Sequence, residues 1–299
     1  MEKKSLAKTV LLIFCLGLFI TGVGIGTGVM ARDCQKSKKP AKKEEKAVLN
    51  IEKEKNEHNN IELSSENLLS RFETTARSEE GRNQNLKTAC ERLNGTELQP
   101  GEILSFNDKA GPYTRETGYL DGPVIIREGQ MGEEPGGGVC QVSTTLYNAA
   151  LKGNLGIVER HRHSYPMDYV EVGLDAMINA PESDLKIQNT TGSVLYIEAS
   201  AQEGMVVVQI KGAELDAKTE VQVESNVLNT LVPEGEEVRL STELEAGARQ
   251  VLQEQRNGYE TRVYRKVYNN GTLVSEEVLS EDTYPPYRRI IIEGCQQSK

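Results

Sequence analysis

The feature that most restricts this chain is Glu134-Pro135-Gly136-Gly137-Gly138-Val139-Cys140, which runs straight into Gln141-Val142-Ser143-Thr144-Thr145-Leu146-Tyr147-Asn148-Ala149-Ala150. Three consecutive glycines remove side chains where a backbone must bend sharply or approach another group closely. Val142, Leu146, Ala149 and Ala150 then recur at helical spacing and Lys152-Gly153 is a C-terminal stop, so a helix over about 140–152 is predicted. Cys140 falls in its first turn. Free backbone N–H groups and the positive end of the helix dipole favour a thiolate there, and the thiolate is the nucleophilic form of cysteine. His161 and His163 follow soon after. A cysteine at a helix start with a histidine on a later strand is the arrangement of a Cys/His nucleophilic site.

The same residues admit two plainer readings. Cys140 is a small side chain of a type often buried, the glycines form a tight turn, and the histidines are satisfied loop residues. Alternatively Cys140, His161 and His163 are ligands of a zinc ion, since the His-x-His pair faces one way on a strand; only three ligands are then in view.

Beyond this stretch the motifs resemble those of a known family. Gly136-Gly137-Gly138-Val139-Cys140-Gln141-Val142-Ser143-Thr144-Thr145-Leu146-Tyr147-Asn148-Ala149-Ala150, Glu159-Arg160-His161-Arg162-His163-Ser164, Tyr169-Val170 and Gly173-Leu174-Asp175-Ala176 are similar to the VanW family of bacterial cell-envelope proteins. Upstream, Arg82-Asn83, Leu93-Asn94-Gly95, Pro100-Gly101-Glu102, Ser105-Phe106-Asn107 and Gly118-Tyr119 fit the same family in the same order. The family is named for a vancomycin-resistance cluster. The resemblance implies a peptidoglycan L,D-transpeptidase, a transferase that cross-links stem peptides in the bacterial cell wall through this cysteine.

On that reading the catalytic set is Cys140 as nucleophile, His163 as base and Asp175 to orient His163. His163 is preferred to His161 because His163-Ser164 matches the family pattern. An aspartate capping a turn in Gly173-Leu174-Asp175-Ala176 is an equally good account of Asp175. Backbone N–H groups from Gly138 to Gln141 are candidates for an oxyanion site. Ser143 and Thr144 either bind the stem peptide or cap the helix. The reading calls for no cofactor and no metal. Two rivals stay open: a cell-wall cysteine peptidase that hands the acyl group to water, and a non-catalytic envelope or glycan-binding protein in which Cys140 is structural.

Composition limits the partners. The net charge of −10 hides a basic N-terminal part followed by a strongly acidic remainder, which argues against nucleic acid. Tryptophan is absent and aromatics are scarce, so the core is expected to be aliphatic and β-rich. The five cysteines are too scattered for a disulfide framework or a CxxC metal site.

In chain order, residues 1–31 read as a cytoplasmic head and transmembrane anchor, Thr9 to Ala31 being uncharged and long enough to span a bilayer; an uncleaved signal is the alternative. Residues 32–65 read as a charged tether. Residues 66–212 form the VanW-like catalytic domain, with a helical pattern from Leu68 to about Leu93, a buried strand at Val124-Ile125-Ile126, a strand at Gly156 to Arg160 and a hairpin across Gln202-Glu203-Gly204. Residues 213–299 form a second domain, where Tyr259 to Tyr268, an Asn-Gly turn and Thr272 to Leu279 read as a hairpin.

This last part resembles the G-five module, which is thought to bind wall glycans, although Gln255 stands where one glycine is expected. The overall expectation is an α+β, β-rich VanW-type domain followed by a small all-β G-five-like domain, preceded by one N-terminal transmembrane helix. Peptidoglycan stem peptides are the expected partner, with the protein a single-pass membrane protein whose C-terminal part is extracytoplasmic. Lysines beyond the apolar segment outnumber those before it, against the positive-inside preference, so that orientation rests on the resemblance.

Overall fold

The computed structural model describes residues 67–125, 131–213 and 215–296. The expected membrane segment and tether lie outside the described residues. Among the described residues no helix is long and apolar enough to cross a membrane.

The first described element corrects the sequence reading. Leu68 onwards is not helical but strand β1 (Leu68–Thr75); helix α1 begins only at Glu80 and runs Glu80–Leu93. β2 (Thr96–Leu98) follows. Much later come β8 (Leu195–Gln202) and β9 (Met205–Lys211), joined through Glu203 and Gly204, both at positive φ as a two-residue hairpin turn requires. These strands form an antiparallel sheet in the order β1-β9-β8-β2.

Between its outer and inner strands the chain builds the parts that carry the cysteine. β3 (Ile103–Ser105), α2 (Phe106–Ala110) and a 3₁₀ turn (Arg115–Thr117) lead to β4 (Asp121–Ile125), which pairs with β5 (Met131–Pro135) as a ribbon. β4 was expected to be a buried strand, but Val124 and Ile125 are only half-buried because the ribbon has a single partner strand. After the glycines comes α3 (Cys140–Lys152), with the bounds its pattern indicates. This helix is buried all round from Gln141 to Leu151, not on one face. β6 (Gly156–Glu159) and β7 (Lys186–Gln188) complete a short sheet in the order β3-β7-β6.

The main core lies between α1, α3 and the four-stranded sheet: Leu86, Ala89 and Leu93, Leu146, Ala149 and Ala150, and Ile197, Val206, Val208 and Ile210 are all buried. Burial of each large aliphatic side chain contributes roughly 1.5–3 kcal/mol. Polar bonds fix the helix on the sheet. Ser70 Oγ donates to Ala149 O at 2.7 Å, and Thr74 and Thr145 hydroxyls meet at 2.8 Å.

The C-terminal part is all β. β10 (Thr219–Leu231), β13 (Gly258–Asn269) and β14 (Thr272–Tyr284) form one sheet in the order β10-β13-β14; β11 (Glu236–Ser241), β12 (Arg249–Gln253) and β15 (Arg289–Gly294) form another in the order β11-β15-β12. The expected hairpin is the β13–β14 pair, with Asn270 and Gly271 both at positive φ.

This part packs on the first. Thr261, Val263 and Arg265 alternate along β13 and are buried, Val263 within the main core cluster. Arg265 Nη1 donates to Leu155 O at 2.6 Å. Gly173 makes room for this contact: a Cβ there would stand 2.9 Å from Val263 Cγ2.

Candidate functional site

The turn before α3 works only with glycine. Gly136 and Gly138 have φ of 83° and 98°, and a Cβ on Gly137 would stand 2.2 Å from the Gly122 carbonyl. α1 clamps this turn. Asn85 Nδ2 donates to Gly137 O at 3.0 Å and Leu120 O at 2.8 Å, while its Oδ1 accepts from Leu120 N at 2.7 Å. Arg82 Nη2 donates to Gln141 Oε1 at 2.5 Å. Cys140, half-buried, is therefore delivered as the first residue of α3.

His163 arrives from the other side. β6 leads into the single bridge between His161 and Met177, and this bridge brings the chain around 175 back beside the histidine. His163 Nδ1 lies 2.6 Å from Asp175 Oδ2, and its main-chain N–H donates to the same oxygen at 2.7 Å. The His163 and Cys140 side chains lie close enough for each to shift the other's ionisation. At 3.5 Å the Ile178 carbonyl is within reach of the thiol.

The electrostatics follow from these contacts. Burial favours neutral imidazole, but the Asp175 hydrogen bond and the neighbouring Cys140 outweigh it and push His163 up to about 9. Burial raises the Asp175 carboxyl, yet the His163 hydrogen bond, the His163 charge and Arg160 bring it down to about 2. Burial also raises the Cys140 thiol, and the neighbouring His163 overcomes this, so that the net shift is downward. The three groups favour a thiolate–imidazolium pair backed by a carboxylate, with the helix dipole acting in the same direction.

Arg160 completes the set. Its Nε donates to Asp175 O at 2.6 Å, its Nη2 to Asp175 Oδ1 at 3.1 Å and Gly173 O at 3.0 Å, and its Nη1 to Asp282 Oδ2 at 2.5 Å.

Residues 81–211, which hold this arrangement, match the model of the family described as VanW like protein, and residues 219–296 match the G5 domain. The chain joins a VanW-like domain to a C-terminal G5 domain. It is 32% identical over 138 residues to the uncharacterized protein YoaR of Bacillus subtilis (strain 168), covering 46% of this chain and 45% of that protein. It is also 32% identical over 132 residues to the vancomycin B-type resistance protein VanW of Enterococcus faecalis (strain ATCC 700802 / V583), covering 42% of this chain and 47% of that protein. The matches thus span about half the length of these curated relatives. Among solved structures, the IgA1 protease G5 domain is 26% identical with a TM-score of 0.20, covering 27% of this chain and 95% of that one.

Within the VanW-like domain the structure brings Cys140, His163 and Asp175 together and leaves His161 outside. The half-buried His161 ring pairs with Glu159 at 2.9 Å, so the three-ligand zinc arrangement is not assembled. Among the described residues no cluster of metal-ligating side chains is present.

Three expectations about the helix start need correction. Gln141 N–H donates to Gly138 O at 3.0 Å and so is committed to the turn, whereas the N–H groups of Gly138 and Cys140 have no protein acceptor among the described residues. Ser143 and Thr144 neither cap the helix nor face substrate. Both are fully buried: Ser143 Oγ donates to Ala176 O at 2.6 Å, and Thr144 Oγ1 accepts from Ala176 N at 3.0 Å. They hold the residue next to Asp175, so their effect on the site is through its backbone.

Sequence reasoning missed the parts of the site that come from afar. Arg160 stood within a quoted motif, but its role depends on Asp175 and on Asp282 of the G5 domain. Tyr284, also in the G5 domain, donates its hydroxyl proton to Asp175 Oδ1 and accepts from Gly173 N at 3.1 Å. No local pattern marks either G5 residue.

Proposed function

We propose that this protein is a cell-wall acyltransferase, an L,D-transpeptidase that forms peptidoglycan cross-links through a Cys140 thioester. The observation that carries the reading is the Cys140–His163–Asp175 chain at the head of a helix. A vancomycin-resistance protein among the relatives supports a wall substrate.

In the resting site Cys140 is a thiolate and His163 an imidazolium. Sγ attacks the carbonyl carbon after the third residue of a donor stem peptide. The N–H groups of Gly138 and Cys140 receive the oxyanion; a donor of this kind contributes about 3 kcal/mol in comparable enzymes. The bond to the terminal D-alanine breaks as His163 gives its proton to the leaving amine. An acceptor amine then attacks the thioester and loses a proton to His163, and the Sγ–C bond breaks, which restores the thiolate–imidazolium pair. The bond energy of the donor is conserved through the thioester, so no external energy source is consumed.

The N-terminal 31 residues anchor the chain in the membrane with the catalytic part outside, and the G5 domain holds wall glycan near the site. Protease added to intact cells then removes residues after about 35, and full protection of that region contradicts this topology.

The function itself is tested by incubating the full chain with tetrapeptide-stem muropeptides and analysing products by mass spectrometry. Dimers linked between third residues are expected. Shortened monomers alone indicate a peptidase; unchanged substrate indicates a binding protein.

A further inference from the structure

The hydrogen bonds around Asp175 do not stay within the VanW-like domain. Asp175 is 1% exposed and its two oxygens have different jobs: Oδ2 takes the His163 ring and main chain, and Oδ1 takes Arg160 and Tyr284. Tyr284 is the last residue of β14 and is fully buried, with its hydroxyl also receiving the Gly173 N–H. Asp282, two residues earlier on the same strand, takes the Arg160 guanidinium, and its side chain is 12% exposed. A buried arginine beside an aspartate neutralises it; a second carboxylate on that arginine draws part of the positive charge away again.

We propose that Tyr284 and Asp282 of the G5 domain are positioning residues for the His163–Asp175 pair, so that the nucleophilic site is complete only with both domains in place. Tyr284 prevents Asp175 from turning, which keeps Oδ2 on His163. Asp282 holds Arg160 in line and divides its charge, which leaves Asp175 enough negative character to stabilise the imidazolium. The imidazolium in turn keeps Cys140 ionised. The groups facing Asp175 are His163, Arg160 and Tyr284, with Tyr147 stacked on Arg160; those facing Cys140 are His163, Tyr113 and Tyr169. Tyr284 and Asp282 thus belong to the site although neither touches the thiol.

The inference rests on the proposed Cys140 chemistry, but its primary readout does not require turnover. Alkylation of Cys140 by iodoacetamide is followed across pH in the full chain, resolved from the other cysteines by peptide mass spectrometry. Tyr284→Phe and Asp282→Asn are both expected to move the midpoint to higher pH, because the imidazolium that holds the thiolate is less well supported. With muropeptide substrate, kcat is expected to fall roughly 10–100-fold, the loss associated with a misplaced catalytic group, with KM nearly unchanged. Asp282→Glu should recover most of the wild-type profile.

If both variants keep the wild-type alkylation curve, the positioning role is overturned, whatever their melting temperatures. Should Tyr284→Phe lose the fold, the partly exposed Asp282→Asn decides alone. Shifted alkylation curves in the variants, with a wild type that makes no cross-links, would support the positioning role and refute the transpeptidase reading.

Discussion

His163 Nδ1 stands 2.6 Å from Asp175 Oδ2, and the His163 backbone N–H reaches the same oxygen at 2.7 Å. One carboxylate oxygen therefore fixes both the ring and the main chain from which it projects. This leaves the other ring edge for Cys140, the geometry a general acid needs if it is to serve a single nucleophile.

The first prediction separates the two histidines. His163→Ala should lower turnover roughly 10²–10⁴-fold, the usual contribution of a positioned general acid–base. His161→Ala should change it by less than about threefold, because its ring is paired with Glu159 and stands apart from Cys140 and Asp175. Steady-state rates with muropeptide substrate distinguish them.

Asp175→Asn tests the support beneath His163. The amide keeps the shape but presents an N–H or a neutral oxygen to the ring, and a loss of about 10²–10⁴ in kcat is expected, as for other histidines deprived of their orienting carboxylate. Measuring kcat and KM separately checks it, since substrate binding should be little affected.

The pH dependence follows from the two partners. Turnover should rise with an acid limb below the ordinary thiol range, where Cys140 ionises, and fall with a basic limb near 9, where His163 loses its proton. Folding stability carries the same signature. The contribution of His163 is fully present below its ordinary value of 6.5 and is lost as pH rises through about 9; that of Asp175 is present above its ordinary value of 3.8 and is lost as pH falls through about 2. Melting temperatures of wild type and His163→Ala across about pH 6 to 10 should converge at the alkaline end.

How much of this was legible in the sequence depends on distance along the chain. Helix α3, the hairpin at Glu203-Gly204 and the hairpin at Asn270-Gly271 rest on local spacing and turn residues, and they form where those signals stand. β1 did not read correctly because Leu68, Leu69 and Phe72 are spaced as on a helix. Pairing with β9 overrides that local pattern, since it satisfies the backbone along the whole strand and covers the sheet with α3. At the site, Cys140 and His163 were visible through their motifs, whereas Asp175 had two equal accounts until its partners were in view. Asp282 and Tyr284 carry no signal at all, being ordinary residues at the end of a strand.

Thr144 illustrates the same limit and gives a further prediction. Its hydroxyl accepts from Ala176 N in a fully buried place, so Thr144→Val should leave that N–H unsatisfied and cost about 1–3 kcal/mol of stability. KM for substrate should change little in the folded fraction. A thermal melt and a substrate titration together check this, and a raised KM at unchanged stability would restore Thr144 to the binding site.

Gly137→Ala addresses the loop itself. The added Cβ would meet the Gly122 carbonyl at 2.2 Å, a backbone group and not the end of a flexible side chain, so the turn must shift. Destabilisation of about 1–3 kcal/mol or more is expected, with Cys140 displaced from His163. The melting temperature and the alkylation midpoint of Cys140 should both move.

The central claim is that Cys140 is an acyl-carrying nucleophile. Its most direct measurement is mass spectrometry of the Cys140 peptide after the full chain meets a tetrapeptide-stem muropeptide without an acceptor, with released D-alanine counted alongside. The account predicts a thioester of the shortened stem on Cys140, one D-alanine freed per adduct, and neither in Cys140→Ser, whose hydroxyl is far less nucleophilic than a thiolate. An unmodified Cys140 with no D-alanine released would contradict it.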